Sequence, residues 1–112
     1  MLQYENATYR SSDGSFYVDF LFWNLGTDGA NDGRRGWRVY IISPIDFKGK
    51  SSSYVETHRL HDPNETYPYI CWTNELKTLK QAKAVAALWA DCIALYIKGE
   101  GRFNDIASRL RK

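Results

Sequence analysis

The chain has 112 residues, of which 44% are hydrophobic and 25% charged, which is enough for one core, too little for two, and unlike a disordered segment. Its 15 Lys and Arg against 13 Asp and Glu leave a formal charge of +2, which excludes a strongly polyanion-seeking protein but not a local basic patch. No apolar run approaches the roughly 18–20 residues that a membrane span needs, and Met1 to Glu5 has neither the basic start nor the apolar stretch of a signal peptide. A cytoplasmic protein with no membrane partner is therefore expected. The unusual feature is the aromatic content, with 4 Trp, 8 Tyr and 5 Phe making up 15% of the chain.

The first two thirds read as strands. Leu2 to Arg10 is the first, with Tyr4 and Tyr9 as its main apolar bodies, and Ser11-Ser12-Asp13-Gly14 is a turn signal after it. The next run has the clearest two-residue period: Phe16, Val18, Phe20 and Phe22 share one face, while Tyr17, Asp19, Leu21 and Trp23 share the other. Gly26-Thr27-Asp28-Gly29-Ala30-Asn31-Asp32-Gly33 is a loop. Its spacing fails as a calcium site, because Ala30 stands where a ligand is needed and Val39 where the closing Glu should be. It also fails as a phosphate cradle, since no Lys-Ser or Lys-Thr follows. Trp37 to Ile42 is a third strand, ended by Ser43-Pro44. A fourth is expected between Ser53 and His61, and a short fifth between Tyr67 and Trp72.

The periodicity changes at residue 78. Thr78 and Gln81 have the spacing of a capping box, with Gln81 reaching back to the Thr78 amide. Leu79, Ala82, Ala86, Trp89, Ile93 and Tyr96 then recur at steps of three and four, with Lys80, Lys83, Ala87, Asp91, Ala94 and Lys98 on the opposite side. This predicts a helix over 79–97, stopped by Gly99 and Gly101. A short helix over 104–110 follows, with Asn104 as its cap and Phe103 as a staple. The expected fold is a single α+β domain spanning 1–112. An antiparallel sheet of four to five strands lies within residues 2–72, one long C-terminal amphipathic helix packs on one of its faces, and a short terminal helix ends the chain. The second sheet face, with Tyr17, Leu21, Trp23, Arg38 and Tyr40, is half aromatic and half polar, a composition suited to recognition.

Side chains of catalytic type are sparse. His58, His61 and Asp62 are the one cluster with metal-ligand or acid–base chemistry, but residues three apart on a strand face opposite sides, so they converge only if the strand ends between them. Asp19, Glu56 and Glu65 would have to meet in space to act as paired carboxylates. No nucleophile motif surrounds Cys71, and Cys71 and Cys92 read as two buried thiols, with a strand-to-helix disulfide as the lesser alternative. No catalytic residue, metal or cofactor is expected. The triplets Asn6-Ala7-Thr8 and Asn64-Glu65-Thr66 match a glycosylation acceptor, which without a signal peptide marks only polar stretches.

Charge is segregated along the chain. Residues 51–76 carry Arg59 against Glu56, Asp62, Glu65 and Glu75. Residues 77–112 carry Lys77, Lys80, Lys83, Lys98, Arg102, Arg109, Arg111 and Lys112 against Asp91, Glu100 and Asp105. The sheet-then-helix order resembles small RNA-binding folds in outline. However, Tyr17 to Phe22 lacks the glycine-bearing signature of an RNA-recognition motif, and Lys77, Lys80 and Lys83 only echo a double-stranded-RNA domain. In size and in lacking a catalytic motif, the chain looks like the small accessory proteins of phages and mobile elements, inhibitors of host nucleases among them. The expected function is a non-catalytic interaction module for a protein or nucleoprotein partner, using Arg34, Arg35, Trp37, Arg38, Tyr40 and Trp23 beside a glycine-rich loop. The alternatives are a nucleic-acid-binding module using Lys77, Lys80, Lys83, Lys98 and Arg102 with the arginine loop, and a small enzyme or metal site at the histidines.

Overall fold

Strand β2 (Tyr17–Asn24) organises the protein. Its alternation sends Val18, Phe20 and Phe22 into the core and leaves Tyr17, Asp19, Leu21 and Trp23 on the other face. In the computed structural model, which describes residues 4–25, 36–72 and 75–110, β2 pairs antiparallel with β1 (Tyr4–Arg10) on one side and with β3 (Trp37–Ile41) on the other. The strands β4 (Arg59–Leu60) and β5 (Tyr69–Ile70) complete an antiparallel sheet in the order β1-β2-β3-β5-β4. Helices α1 (Leu79–Ile97) and α2 (Phe103–Leu110) follow, so the chain has an α+β fold. Leu2 and Gln3, expected in the first strand, and the glycine loop at 26–33 lie outside the described residues.

The turn between β1 and β2 is built on Asp13 and Gly14. Gly14 adopts φ +76°, and the Asp13 carboxylate accepts from the Ser11 hydroxyl (2.7 Å) and from the Ser15 amide (2.9 Å) and hydroxyl (2.7 Å). Lys98 donates to the same carboxylate at 2.6 Å, and this contact, ahead of the serines, holds Asp13 well below the usual carboxylate range. Ser12 in turn donates its amide and hydroxyl to Asp91 on α1 (2.8 and 2.9 Å). The turn thus folds over the helix side expected to face solvent. Ala94, expected on that side, is buried for this reason.

Helix α1 begins at the expected Thr78 cap, whose hydroxyl accepts from the Gln81 amide at 3.1 Å. The return contact differs by one residue from the expected box: Gln81 Oε1 accepts from the Lys77 amide at 2.8 Å. At the other end, Gly99 with φ +86° donates to the Tyr96 carbonyl and Glu100 donates to that of Leu95, which closes the helix. Between the caps, Ala82, Val85, Ala86, Trp89, Ile93 and Tyr96 pack on Val18, Phe20, Phe22, Val39 and Ile41. Trp89 meets Phe20 edge-on with ring centroids 6.0 Å apart. Each such side chain is worth roughly 1.5–3 kcal/mol when buried, so this contact dominates the fold.

Residues 43–58 depart most from expectation. In place of a strand from Ser53 they form a strap across α1, and only Arg59–Leu60 joins the sheet. Trp89 Nε1 donates to the Thr57 carbonyl (3.0 Å) and the Tyr96 hydroxyl to the Ser51 carbonyl (2.7 Å). Arg59 bonds the Thr57 hydroxyl and the Ser52 carbonyl (both 2.8 Å), with its guanidinium 4.3 Å from the centre of the Tyr54 ring. Phe47 is buried beneath the strap against Tyr96. Helix α2 starts at Phe103, so Asn104 lies in its first turn and not at its cap, and Asn104 Oδ1 bonds His58 Nε2 at 2.6 Å.

Candidate binding face of the sheet

Both helices lie on one side, and among the described residues no helix covers the opposite sheet face, which is open around Tyr4, Tyr17 and Trp23. Register builds this face row by row. Tyr4 opposes Trp23, Asn6 opposes Leu21, Thr8 opposes Asp19 and Arg10 opposes Tyr17. Trp23 continues to Arg38, Leu21 to Tyr40, and Tyr40 to Tyr69. Tyr4 and Trp23, 49% and 39% exposed, stack with centroids 5.6 Å apart and planes 12° from parallel. At the far end the Arg10 guanidinium lies 5.6 Å from the centre of the Tyr17 ring.

The loop after β4 folds back over this face and is fastened by Arg38. That side chain is only 10% exposed, and it bonds Asp62 at 2.8 Å and Glu65 at 3.0 Å. Its guanidinium lies 3.7 Å from the centre of the Tyr69 ring. The Tyr40 hydroxyl donates to the second Glu65 oxygen at 2.6 Å, and Tyr69 donates to Asp62 at 3.3 Å. Burial pushes the Tyr40 phenol up to about 12, with the Glu65 hydrogen bond adding to the rise. Burial is the largest single influence and works against the Arg38 charge, but its bond to Asp62, its contact with Tyr40 and the neighbouring Tyr69 together outweigh this and hold the guanidinium above its ordinary value.

Fastened in this way, residues 64–67 form one wall of a groove of about 390 Å³. Leu21, Trp23, Leu25 and Tyr40 line it from the sheet side, and Asn64, Glu65, Thr66 and Tyr67 from the loop, with Tyr67 42% exposed. Apolar surface thus alternates with polar groups held in place by the Arg38 network. Such a groove offers aromatic anchoring and directional hydrogen bonding to a ligand surface.

The residues expected at the interface divide. Trp23, Arg38 and Tyr40 come together on the helix-free face, where Trp23 stays exposed while Arg38, nearly buried, and Tyr40, buried, lie beneath the loop that they hold. Trp37 is one residue out of phase with Arg38, faces the helix side and packs against the core, and its amide donates to the Leu76 carbonyl at 2.7 Å. Arg34 and Arg35 lie outside the described residues. Of the lysines and arginine expected to meet nucleic acid, Lys83 pairs with Glu5, Lys98 with Asp13 at 2.6 Å and Arg102 with Glu56 at 3.3 Å. Lys77 and Lys80 remain exposed.

His58 and His61 have separate surroundings. His58 stacks on Phe103 at 4.5 Å and bonds Asn104, whereas His61 bonds the Glu65 carbonyl at 2.7 Å. Among the described residues no group of three or more His, Cys, Asp or Glu is placed to hold a metal ion. Asp19, Glu56 and Glu65 likewise bond different partners, namely Thr8, Arg102 and Arg38. Cys71 is half-buried and Cys92 buried, and both are thiols. No helix among the described residues is long and apolar enough to cross a membrane.

Sequence reasoning missed the loop wall, and Tyr67 in particular. Its one local cue is the Thr66-Tyr67-Pro68-Tyr69 run, where an aromatic residue precedes a proline that cannot extend a central strand. Comparison of the chain with family models, with curated proteins and with solved structures finds no match.

Proposed function

We propose that this protein is a non-catalytic interaction module that takes a protein partner on its helix-free sheet face. The observation that carries this reading is the groove lined by Leu21, Trp23 and Tyr40 and walled by Tyr67, next to the exposed Tyr4–Trp23 stack. Large aromatic side chains left partly in water beside fixed hydrogen-bonding groups are the composition of interface anchors. The internal ion pairs of Lys83, Lys98 and Arg102 favour a protein partner over nucleic acid, because those charges already have neutralising neighbours. Two thiols fit a reducing compartment, and the cytoplasm is the proposed place of the encounter. An accessory or inhibitory role of the kind found in phages and mobile elements is consistent with a small protein that acts by occupying a surface.

The test is affinity capture from the native host with the parent protein, a Trp23→Ala, Tyr67→Ala variant and a Lys77→Ala, Lys80→Ala control, each with and without nuclease. The proposal expects a protein retained by the parent and the lysine control, lost with the aromatic variant, and indifferent to nuclease. Capture abolished by nuclease or by the lysine substitutions would instead support the nucleic-acid module.

A further inference from the structure

The outer edge of β1 is the second feature of the sheet that calls for a partner. The Ser11 amide donates to the Phe16 carbonyl (2.8 Å) and the Ile42 amide to the Asp19 carbonyl (2.9 Å), which sets the phase of both ladders. Glu5, Ala7 and Tyr9 therefore bond inward to β2, and Tyr4, Asn6, Thr8 and Arg10 direct their backbone N–H and C=O groups away from the sheet. Among the described residues, nothing bonds to that row. The strand is 7 residues long, about 23 Å at ~3.3 Å per residue. It carries neither Lys nor Pro, two of the devices that normally blunt an edge, and its charges are confined to Glu5 and Arg10.

We propose that the partner of this edge is β1 of a second copy of the chain, paired antiparallel about a two-fold axis at Ala7. The seven residues are self-complementary in that register. Ala7 meets Ala7, Asn6 meets Thr8, Glu5 meets Tyr9 and Tyr4 meets Arg10 of the other copy. Small faces small, amide faces hydroxyl, carboxylate faces phenol and an aromatic ring faces a guanidinium, with no like charges opposed. The two charged residues of β1 are already accommodated within each copy, Glu5 by Lys83 and Arg10 by the Tyr17 ring. Every outward N–H and C=O of the strand finds a partner, whereas a two-residue slip leaves Tyr4 or Arg10 unpaired. A one-residue slip would set core-facing against open-facing side chains. The product is one continuous sheet in which both helix-free faces point the same way, with the two Tyr4–Trp23 stacks flanking the axis.

The test is sedimentation velocity of the full chain up to about 100 µM, together with two variants. The parent should show a concentration-dependent monomer–dimer equilibrium. Asn6→Pro removes an outward N–H at an edge position, so it should weaken association about tenfold or more while leaving the circular dichroism spectrum unchanged. Ala7→Cys in a Cys71→Ser background should form a reducible covalent dimer under mild oxidation, because directly opposed residues at the axis lie within disulfide reach. This second variant decides the matter if Asn6→Pro does not fold. A parent that stays monomeric throughout, a dimer unaffected by Asn6→Pro, or a dimer that Ala7→Cys fails to cross-link would each overturn the proposal.

Discussion

Replacing Trp89 by Ala and by Phe separates two contributions to the contact between helix and sheet. Trp89 is 2% exposed, meets Phe20 edge-on, and donates its indole N–H to the carbonyl of Thr57, a residue with no exposed surface. Deleting a buried large aromatic costs about 3–5 kcal/mol. Leaving a buried carbonyl without its donor costs about 1–3 kcal/mol more, although the two do not add in full. Trp89→Ala should therefore lose about 4 kcal/mol or more, a large part of the ~6–17 kcal/mol that a chain of this size carries. Trp89→Phe retains most of the ring packing and should lose about 2 kcal/mol, chiefly through the carbonyl. Urea denaturation followed by circular dichroism measures both. Hydrogen exchange should also quicken at the Thr57 amide, which bonds the Ser53 carbonyl. An unchanged midpoint for Trp89→Ala would refute the packing, and a Phe variant as stable as the parent would refute the role of the indole bond.

Three further perturbations probe the framework of the groove. Arg38→Met should cost about 1–3 kcal/mol, discounted because Asp62 and Glu65 are partly exposed, and amide exchange should quicken at Glu65, which bonds the Asp62 carbonyl. Gly36→Ala should cost about 2 kcal/mol or more in the same denaturation assay, because Gly36 holds φ +73° and an added Cβ would lie 2.4 Å from the Leu76 carbonyl oxygen. The Tyr40 phenol, raised from 10.0 to about 12 in the fold, keeps its proton where the unfolded chain has lost it. Its contribution is complete below pH 10 and is lost as pH rises towards 12, with a slope of at most about 1.4 kcal/mol per pH unit. Tyr40→Phe should flatten the alkaline decline in urea midpoint, although Tyr9 and Tyr69, also raised, leave a residual slope.

The parts of this fold that are legible in the sequence are those dictated by local periodicity. The two-residue alternation of β2 fixes both of its faces, and the spacing from Leu79 to Tyr96 with Thr78 before it marks α1 from end to end. The strap at 43–58 was not legible, because it is held by bonds to side chains over thirty residues away, such as Trp89 to Thr57, which leave no local pattern. The same holds for charge. Lys98 with Asp13 and Lys83 with Glu5 are 85 and 78 residues apart, so a helix that reads as a basic face is partly neutralised by the first hairpin. The open face was legible as a half-aromatic row through Trp23 and Tyr40, but its enclosure by residues 64–67 was not. Arg38 reads equally well as a phosphate contact or an interface anchor until Asp62 and Glu65 are brought to it.

Side-chain oxidation footprinting of the protein alone and in its captured complex measures directly whether the partner sits on the groove-bearing sheet face. Trp23 and Tyr67, exposed at the groove, should lose reactivity in the complex, while Tyr54, exposed on the strap beside Arg59, should keep its own. Trp23 and Tyr67 as reactive in the complex as in the free protein, with protection at Tyr54, would contradict this placement.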